Sequence, residues 1–422
     1  MSIKHSFVSA KSDGSDTALL RPSDWNDSHD DTTSVLYYDA VGDGITDDTA
    51  AFQAAIDAVG VAFVPAGTYY LATPVELKAS GDGLRGEGRE LSKLKCATGG
   101  IKVSASQASA IENCLIEGLY IYPSVTATAG HSNNMAYADY TAIDITGLKF
   151  CTIRDIYTYR WQTHLNLGHS TYQTYKNTII NFQAWLGSTG IYIGGTASPT
   201  HDGANANAFI ACNVMAQQIG IRIAGGYNLF CGTRIESPLQ TSGYPLTSTG
   251  VQFDSGLYAI GNSFVGTYME LTGTGNSGIV LNDTGTTGYL TPNSFYGGNF
   301  VANSTSVACV PDSGLESSAF GFTLNAPGLR TRNYYTDSVG AGTVAFSRYY
   351  DDVGGTYVQT YDGSSATLIA QETMAATAPS TGTWVRGARV WNTSASASGY
   401  VGWVCASAGS PGIWKGFGAI AS

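Results

Sequence analysis

A repeat between Gly190 and about Asn303 constrains the fold more than any other feature of the chain. Each unit opens with a glycine and alternating apolar residues, and the openings stand 30, 30 and 28 residues apart, at Gly190, Gly220, Gly250 and Gly278. An Asn-x-Phe mark follows each opening, with its asparagine at Asn207, Asn228, Asn262 and Asn293. A period of this size signals a solenoid whose units bury their apolar faces by stacking.

Short runs with a period of two lie inside each unit, for example Ile221 with Ile223 and Thr233 with Ile235. Gly, Asn, Ser and Thr separate these runs, which is typical of strands joined by tight turns. No helical periodicity lies between them. The sequence therefore predicts an all-β chain whose parallel strands stack in coils, a β-helix solenoid. The recurring asparagines are expected to form a hydrogen-bonded ladder at a turn.

Composition narrows the function classes. The net charge of the 422 residues is −11 and only 13% are charged. This argues against a nucleic-acid partner, because phosphate contacts need Lys and Arg. No run approaches the ~18 apolar residues of a membrane span, so no membrane insertion is expected. The beginning of the chain has no apolar signal region. Seven scattered cysteines without CxxC pairs indicate buried free thiols.

Two segments precede the repeat. Residues 1–30 are polar and contain the string Arg21-Pro22-Ser23-Asp24-Trp25-Asn26; they are either a plain leader or an attachment peptide. After them, Asp47 or Asp48 can cap a helix that buries Phe52 and Ile56 and ends at Gly60. A helix placed before a solenoid covers the open end of its stack.

Several of these strings resemble known proteins. Residues 39–56 and 61–71, with the turn Leu84-Arg85-Gly86-Glu87-Gly88, are similar to the opening of pectate-lyase-like right-handed β-helix proteins, especially phage tailspikes. The leader resembles the start of many phage tail proteins. The ending, with Gly402-Trp403-Val404-Cys405 and Pro411-Gly412-Ile413-Trp414, resembles the end of such proteins.

The resemblance implies a right-handed parallel β-helix with an N-terminal capping helix and a small C-terminal β domain. It implies a homotrimer located in the virion tail, which attaches to the phage tail or baseplate through residues 1–30 and binds a bacterial capsule or lipopolysaccharide glycan. The predicted domains are a virion-attachment leader (1–30), a capped opening of the β-helix (31–110), the coils (111–326) and a C-terminal β domain (327–422). The last domain would serve trimerisation or glycan contact.

The period also predicts a catalytic pair. Six residues after the phenylalanine of each mark stand Met215, Glu236, Glu270 and Val301. Glu236 and Glu270 should therefore lie on neighbouring coils, about one strand spacing of 4.7–4.9 Å apart. Two carboxyl groups that share a proton suit glycoside hydrolysis, and Asp254 is a third candidate. The alternative is structural, because a Glu at a strand end can bind turn amides or an arginine such as Arg222 or Arg234.

Substrate contacts are expected from exposed aromatic residues and one cation. The candidates are Tyr258, Tyr268, Trp161, Trp185 and Arg234. Aromatic residues are also ordinary strand residues, so each could instead be structural. The histidines, including His164, lack ligand spacing and read as neutral loop or surface residues. The sequence thus predicts no metal site and no cofactor.

The resemblance to tailspikes implies a protein that binds a bacterial surface polysaccharide, and together with the acid pair it predicts cleavage by glycoside hydrolysis. A polysaccharide lyase and a non-catalytic receptor-binding or structural spike are the alternatives. A lyase would need a uronic acid substrate and a basic group, and the coils show no clear Lys/Arg cluster in the sequence.

Overall fold

The computed structural model describes most of the coils and the end of the chain. Its described backbone comprises residues 12, 15, 31–103, 111–124, 140–168, 174–194, 204–236, 248–254, 259, 261–271, 277–282, 293–302, 307–310, 319–324, 333–336, 344–351, 355–362 and 367–422. Side chains are described for the same residues except 216, 217, 271, 277–282 and the strands between 294 and 370. The predicted attachment leader lies outside these residues apart from Ser12 and Ser15.

The described chain opens with a 3-10 turn, Val35–Tyr38, a strand, β1 (Asp43–Asp47), and a helix, α1 (Thr49–Val59). Phe52 and Ile56 are buried, and the helix ends at Gly60, whose φ of 74° suits glycine. Asp48 occupies the N-cap position, but its carboxylate accepts from the amides of Val41 and Gly42 rather than from the helix. The predicted capping helix is confirmed, and its leading aspartate anchors the preceding turn.

Short strands then follow one another around the coils. In chain order they are β2 (Val61–Val64), β3 (Gly67–Leu71), β4 (Val75–Leu77), β5 (Gly83–Gly86), β6 (Ser92–Cys96), β7 (Ile101–Val103), β8 (Leu115–Glu117), β9 (Tyr120–Pro123), β10 (Thr141–Asp144), β11 (Thr152–Arg154), β12 (Tyr157–Tyr159), β13 (Thr163–Asn166), β14 (Thr174–Tyr175), β15 (Thr178–Ile180), β16 (Gln183–Ile193), β17 (Ala204–Asn205), β18 (Ala208–Ile210), β19 (Asn213–Ile223), β20 (Leu229–Cys231), β21 (Arg234–Glu236), β22 (Thr249–Asp254), β23 (Ser263–Val265), β24 (Tyr268–Leu271), β25 (Ser277–Asn282), β26 (Ser294–Ala302), β27 (Val307–Val310) and β28 (Ala319–Leu324).

The strands pair in parallel along three ladders, which together form a right-handed parallel β-helix. Ladder A contains β1, β3, β6, β9, β12, the first part of β16 and of β19, β21, β24 and the last part of β26 and of β28. Ladder B contains β4, β7, β10, β13, the last part of β16 and of β19, β22, β25 and β27. Ladder C contains β2, β5, β8, β11, β15, β18, β20, β23 and the first part of β26 and of β28.

The repeat seen in the sequence sets the register of the regular coils. Thr189 pairs with Ile219, Ile219 with Thr249 and Thr249 with Ser277, so the four opening glycines line up on successive coils. Glycine is required there, since a Cβ on Gly220 would lie 2.6 Å from the carbonyl oxygen of Gly250. The predicted solenoid is confirmed at the level of individual residue pairs.

Two columns of identical side chains hold these coils together. Phe209, Phe230 and Phe264 stack face to face, with ring centroids 4.5 and 4.3 Å apart. The asparagine ladder is also confirmed: the side-chain oxygen of each asparagine accepts from the backbone amide of the asparagine on the preceding coil. Asn177, one coil earlier than predicted, begins this ladder.

The end of the chain forms a separate seven-stranded sheet. Its strands are β29 (Asn333–Thr336), β30 (Val344–Asp351), β31 (Gly355–Asp362), β32 (Thr367–Ala375), β33 (Arg389–Asn392), β34 (Tyr400–Ser407) and β35 (Ile413–Ala419). All neighbouring pairs are antiparallel except β32 with β33. Trp384, Val390 and Cys405 are buried beneath it, and Trp403 and Trp414 pack against them. The small C-terminal β domain is therefore confirmed.

Across the described chain, no helix combines the length and the apolar character needed to cross a membrane.

Candidate active site

The pair predicted from the period lies in register on ladder A. Glu236 at the end of β21 pairs with Glu270 on β24, and Ile235 pairs with Met269 beside them. Ile235 and Met269 point into the core. Because side chains alternate across a strand, Glu236 and Glu270 both point outward, about 4.8 Å apart at the backbone. We call these two residues the acid pair.

Glu236 is held in a mostly buried position. Its side chain is 11% exposed and forms an ion pair with Arg234, whose side chain is 52% exposed. Burial raises the pKa of the Glu236 carboxyl above its ordinary value; the charge of Arg234 opposes this shift and the charge of Glu270 adds to it. The carboxyl is therefore shifted toward its protonated form, as a proton donor requires.

Glu270 has different neighbours from Glu236. The hydroxyl of Tyr268 donates to its carboxylate at 2.8 Å, and this hydrogen bond is the main reason why the pKa of Tyr268 is raised. The guanidinium of Arg234 lies 5.2 Å from the centre of the Tyr268 ring. Tyr268 thus binds the carboxylate of Glu270, and Arg234 binds the carboxylate of Glu236.

Asp254 does not join the acid pair, so that part of the prediction is wrong. It lies on ladder B, where its carboxylate accepts from Arg222 at 2.6 Å and from Gln252 at 2.7 Å. The neighbouring strand β19 takes part in both ladders and gives the backbone distance between these positions. Met215 pairs with Glu236, and Ile223 pairs with the residue preceding Asp254. Eight residues of strand separate these positions, a contour length of about 26 Å.

The predicted aromatic contacts divide between core and surface. Trp161 is 0% exposed, and its indole nitrogen donates to the Ile121 carbonyl oxygen, so it cannot stack on a bound sugar and the prediction is wrong. Trp185 is 43% exposed and lies on ladder A, where its register partner Met215 pairs in turn with Glu236. Tyr268 contacts the acid pair directly. Tyr258 lies outside the described residues.

The structure adds an aromatic surface that the sequence did not reveal. Tyr120, Tyr122, Tyr157 and Tyr159 lie on the outer face of β9 and β12, directly before Trp185 on ladder A. Ring centroids are 4.8 Å apart for Tyr120 with Tyr157 and 6.3 Å for Tyr157 with Trp185. We call these five residues the aromatic platform. It begins two strands from Glu236, roughly 10 Å along the axis of the coils.

Other titratable side chains are buried away from this face. His164, expected in a loop or at the surface, is 0% exposed. Its Nδ1 lies 2.7 Å from the Thr158 hydroxyl, and burial lowers its pKa to about 3. Cys231 is exposed, against the prediction of buried thiols, whereas the other free cysteines of the described chain are buried. Within the described residues, no three His, Cys, Asp or Glu side chains meet in a group that could hold a metal ion.

The first half of the chain is similar in sequence to a known protein family. Residues 32–225 match the family model described as rhamnogalacturonase A/epimerase, pectate lyase-like. This match, over a little less than half of the chain, confirms the resemblance inferred from the opening residues. No curated protein sequence matches the chain.

Several solved structures are similar at low identity. ORF18 of Geobacillus virus E2 is 14% identical with a TM-score of 0.45, covering 91% of this chain and 85% of its own. The A-module of mannuronan C-5 epimerase AlgE4 from Azotobacter vinelandii is 16% identical with a TM-score of 0.42, covering 73% and 100%. The Acinetobacter baumannii phage AM24 tailspike is 14% identical with a TM-score of 0.44, covering 78% and 67%.

Proposed function

We propose that this protein is a phage tailspike-like glycoside hydrolase that cleaves a bacterial surface polysaccharide at the acid pair. The observation that carries the proposal is the register of Glu236 with Glu270 on the outer face of ladder A. Two carboxyl groups in such a position meet the basic requirement of glycoside hydrolysis, an acid for the leaving oxygen and a partner for the sugar.

The two carboxyl groups have different roles in this proposal. Glu236, whose pKa burial raises, is the general acid, and Glu270, which accepts the Tyr268 hydrogen bond, is the nucleophile. The two residues start about 4.8 Å apart at the backbone. In this proposal their carboxyl groups take up the ~5–5.5 Å separation of retaining glycosidases rather than the ~6.5–9.5 Å of inverting enzymes. We therefore expect the products to retain the anomeric configuration of the cleaved bond.

The reaction then has two steps. The Glu270 carboxylate attacks the anomeric carbon while the glycosidic C–O bond breaks and the leaving oxygen takes the proton of Glu236. Glu236, now a carboxylate, removes a proton from water, whose oxygen attacks the same carbon and releases Glu270. The proton thus returns to Glu236, and one water molecule is consumed for each bond that is cleaved.

The surroundings of the pair support a long, extended substrate. Ladder A runs along the axis of the coils, and the aromatic platform shares its outer face with the acid pair. Aromatic rings present flat apolar surfaces with a polar edge, which suits sugars. The resemblance of the strings within residues 39–71 to tailspikes supports assembly as a homotrimer. The resemblance of residues 1–30 and 402–414 to phage tail proteins supports a place in a virion tail and attachment through residues 1–30.

Analysis of the reaction products tests the proposal. Capsule or lipopolysaccharide glycan from bacteria on whose lawns the protein forms halos should release reducing ends without absorbance from unsaturated sugars. Proton NMR during the reaction should show retention, and Glu270→Gln should release nothing while binding the glycan. Unsaturated products would instead indicate a lyase, and binding without any release a non-catalytic spike. Either result would refute the hydrolase.

A further inference from the structure

A group of cations borders the aromatic platform on the side away from the acid pair. Lys93 and Lys95 lie on the outer face of β6 and pair with Tyr120 and Tyr122 of β9. The outer face of ladder A therefore runs from two lysines through five aromatic rings to the acid pair. In the column of Trp185, Lys95 and Glu236 are five strands apart, which is roughly 24 Å.

These lysines differ in their partners from five other cations of the coils. Lys78, Lys102, Arg154, Arg222 and Arg234 each form an ion pair with a carboxylate. Among the described residues the Lys93 ammonium has no ion-pair partner, and the Lys95 ammonium donates to the Gly44 carbonyl oxygen at 3.0 Å. Neither ammonium forms an ion pair with an acid of the described coils.

Further charges surround the rings. Arg160 lies 4.9 Å from the centre of the Tyr159 ring. Burial raises the pKa of Tyr120 to about 12, and the charge of Glu90 adds to this shift while Arg160 opposes it. Burial raises the pKa of Tyr157 as well; the charge of Glu90 adds to this shift and the charge of Arg89 opposes it. Four cations therefore lie around the platform, against the one carboxylate that acts on both tyrosines.

We propose that the platform and its lysines form a binding site for an anionic polysaccharide, with Lys93 and Lys95 contacting a carboxylate- or sulfate-bearing sugar and the rings stacking on its neighbours. Binding of the polysaccharide at this site does not depend on the proposed function. Only the expectation that the bound polysaccharide continues toward the acid pair rests on it. A local cationic group is needed because a protein of net charge −11 repels a polyanion elsewhere.

The site also defines a specificity. A neutral glycan gains the ring contacts alone, whereas an anionic glycan gains the ring contacts and the two ammonium groups. Because surface ion pairs are screened by salt, the preference for the anionic chain should weaken as ionic strength rises. The contacts of the rings should persist under the same conditions.

Affinity electrophoresis of the full chain tests the site with two matched polymers, dextran and dextran sulfate, and with alginate as a uronate polymer. The Glu270→Gln variant serves as the background so that cleavage does not interfere. Dextran sulfate and alginate should retard it, with less retardation at higher salt, and dextran should retard it least. Lys93→Gln with Lys95→Gln should weaken binding of both anionic polymers roughly tenfold.

Two variants provide matched controls. Lys102 lies on ladder B of the same coil and is ion-paired with Glu76, so Lys102→Gln should leave retardation unchanged. Phe150 is 43% exposed, as is Trp185, but lies outside ladder A. Trp185→Ala should therefore weaken alginate binding, and Phe150→Ala should not.

Three outcomes would overturn the site. One is equal retardation by dextran and dextran sulfate, and another is an equal loss of retardation for Lys102→Gln and for Lys93→Gln with Lys95→Gln. The third is a change of sedimentation coefficient in Trp185→Ala, which would assign the platform to contact between copies of the chain. Retardation that behaves as expected with no cleavage by the wild type would keep the site and reject the hydrolase.

Discussion

Ladder A and ladder B each carry outward carboxylates, but the two ladders use them differently. On ladder B, Asp254 stands alone and is satisfied by Arg222 and Gln252. On ladder A, Glu236 faces Glu270 one strand away. Arg234 forms an ion pair with Glu236, so one arginine lies beside two acids. Burial first, and then the charge of Glu270, raise the pKa of the Glu236 carboxyl, so register adds to burial in helping this acid to keep its proton.

The same contrast separates structure from chemistry. Asp254 is a single carboxylate whose oxygens accept from Arg222 and Gln252, which is a structural arrangement. Two carboxylates in register are costly when both are ionised, so a fold that keeps them has a reason beyond stability.

The largest expected difference is in catalysis. Glu270→Ala should reduce depolymerisation by at least roughly 100-fold, whereas Asp254→Ala should keep a rate near that of the wild type. The reason is that Glu270 would bond to the sugar, while Asp254 lies far around the cross-section of the coil. Reducing-end release measures both variants.

Azide supplies a further control for Glu270. A small anion can occupy the space of the lost carboxylate, so azide should restore turnover in Glu270→Ala and give a glycosyl azide of inverted configuration. It should do nothing for Asp254→Ala. Equal loss of activity in both variants would remove the distinction between the ladders.

A smaller effect is expected when the donor to Glu270 is removed. Tyr268→Phe keeps the ring and its contact with Arg234 but loses the 2.8 Å hydrogen bond. A hydrogen bond to a charged group contributes about 1.5–3 kcal/mol, so kcat should fall roughly tenfold or more while the fold remains intact. Tyr192→Phe, beside Arg222 on ladder B, is the matched control and should leave kcat unchanged.

The free energy of unfolding should fall when the acid of ladder B is replaced, but not when Glu236 of ladder A is replaced. Asp254→Asn deprives Arg222 of its carboxylate, and because Arg222 is 43% exposed the cost should be about 1 kcal/mol. Glu236→Gln removes a buried charge that faces Glu270. Since its folded-state pKa is raised, the ionised group weakens the fold at neutral pH, and the variant should be as stable as the wild type or more so. Midpoints of urea unfolding measure both, and equal losses would contradict the contrast.

The sequence was sufficient for some of these residues because each regular coil keeps the same short distance between its Asn-x-Phe mark and its strand on ladder A. Glu236 and Glu270 stand at the same offset from Phe230 and Phe264, so counting from the Asn-x-Phe mark found their register. The glycine column followed from openings 30, 30 and 28 residues apart. The asparagines stand 21, 34 and 31 residues apart, so their column followed from the recurring Asn-x-Phe mark rather than from a constant length. A mark repeated on every coil makes a position in the sequence equivalent to a position on a ladder.

The aromatic platform could not be found in this way. Tyr122 and Tyr157 belong to neighbouring strands of ladder A, but the insertion at 125–139 lies between them. Lys93 comes from a still earlier coil, outside the repeat. The direction of Trp161 could not be predicted either, because it lies between β12 and β13, where the alternation of a strand does not apply. Trp185 does follow the alternation of β16, next to the buried Ala184, but the bounds of that strand were not evident from the sequence.

The smallest effect we predict is a shift in the pH profile. Glu236 must be protonated to donate to the leaving oxygen, so activity should fall as pH rises through its pKa. Arg234 lowers that pKa, and Arg234→Met should therefore move the alkaline side of the kcat/KM profile to higher pH. Arg222→Met on ladder B should leave it in place, because its partner is Asp254. If both variants moved the profile equally, the shift would reflect the overall charge of the protein rather than a proton held by Glu236.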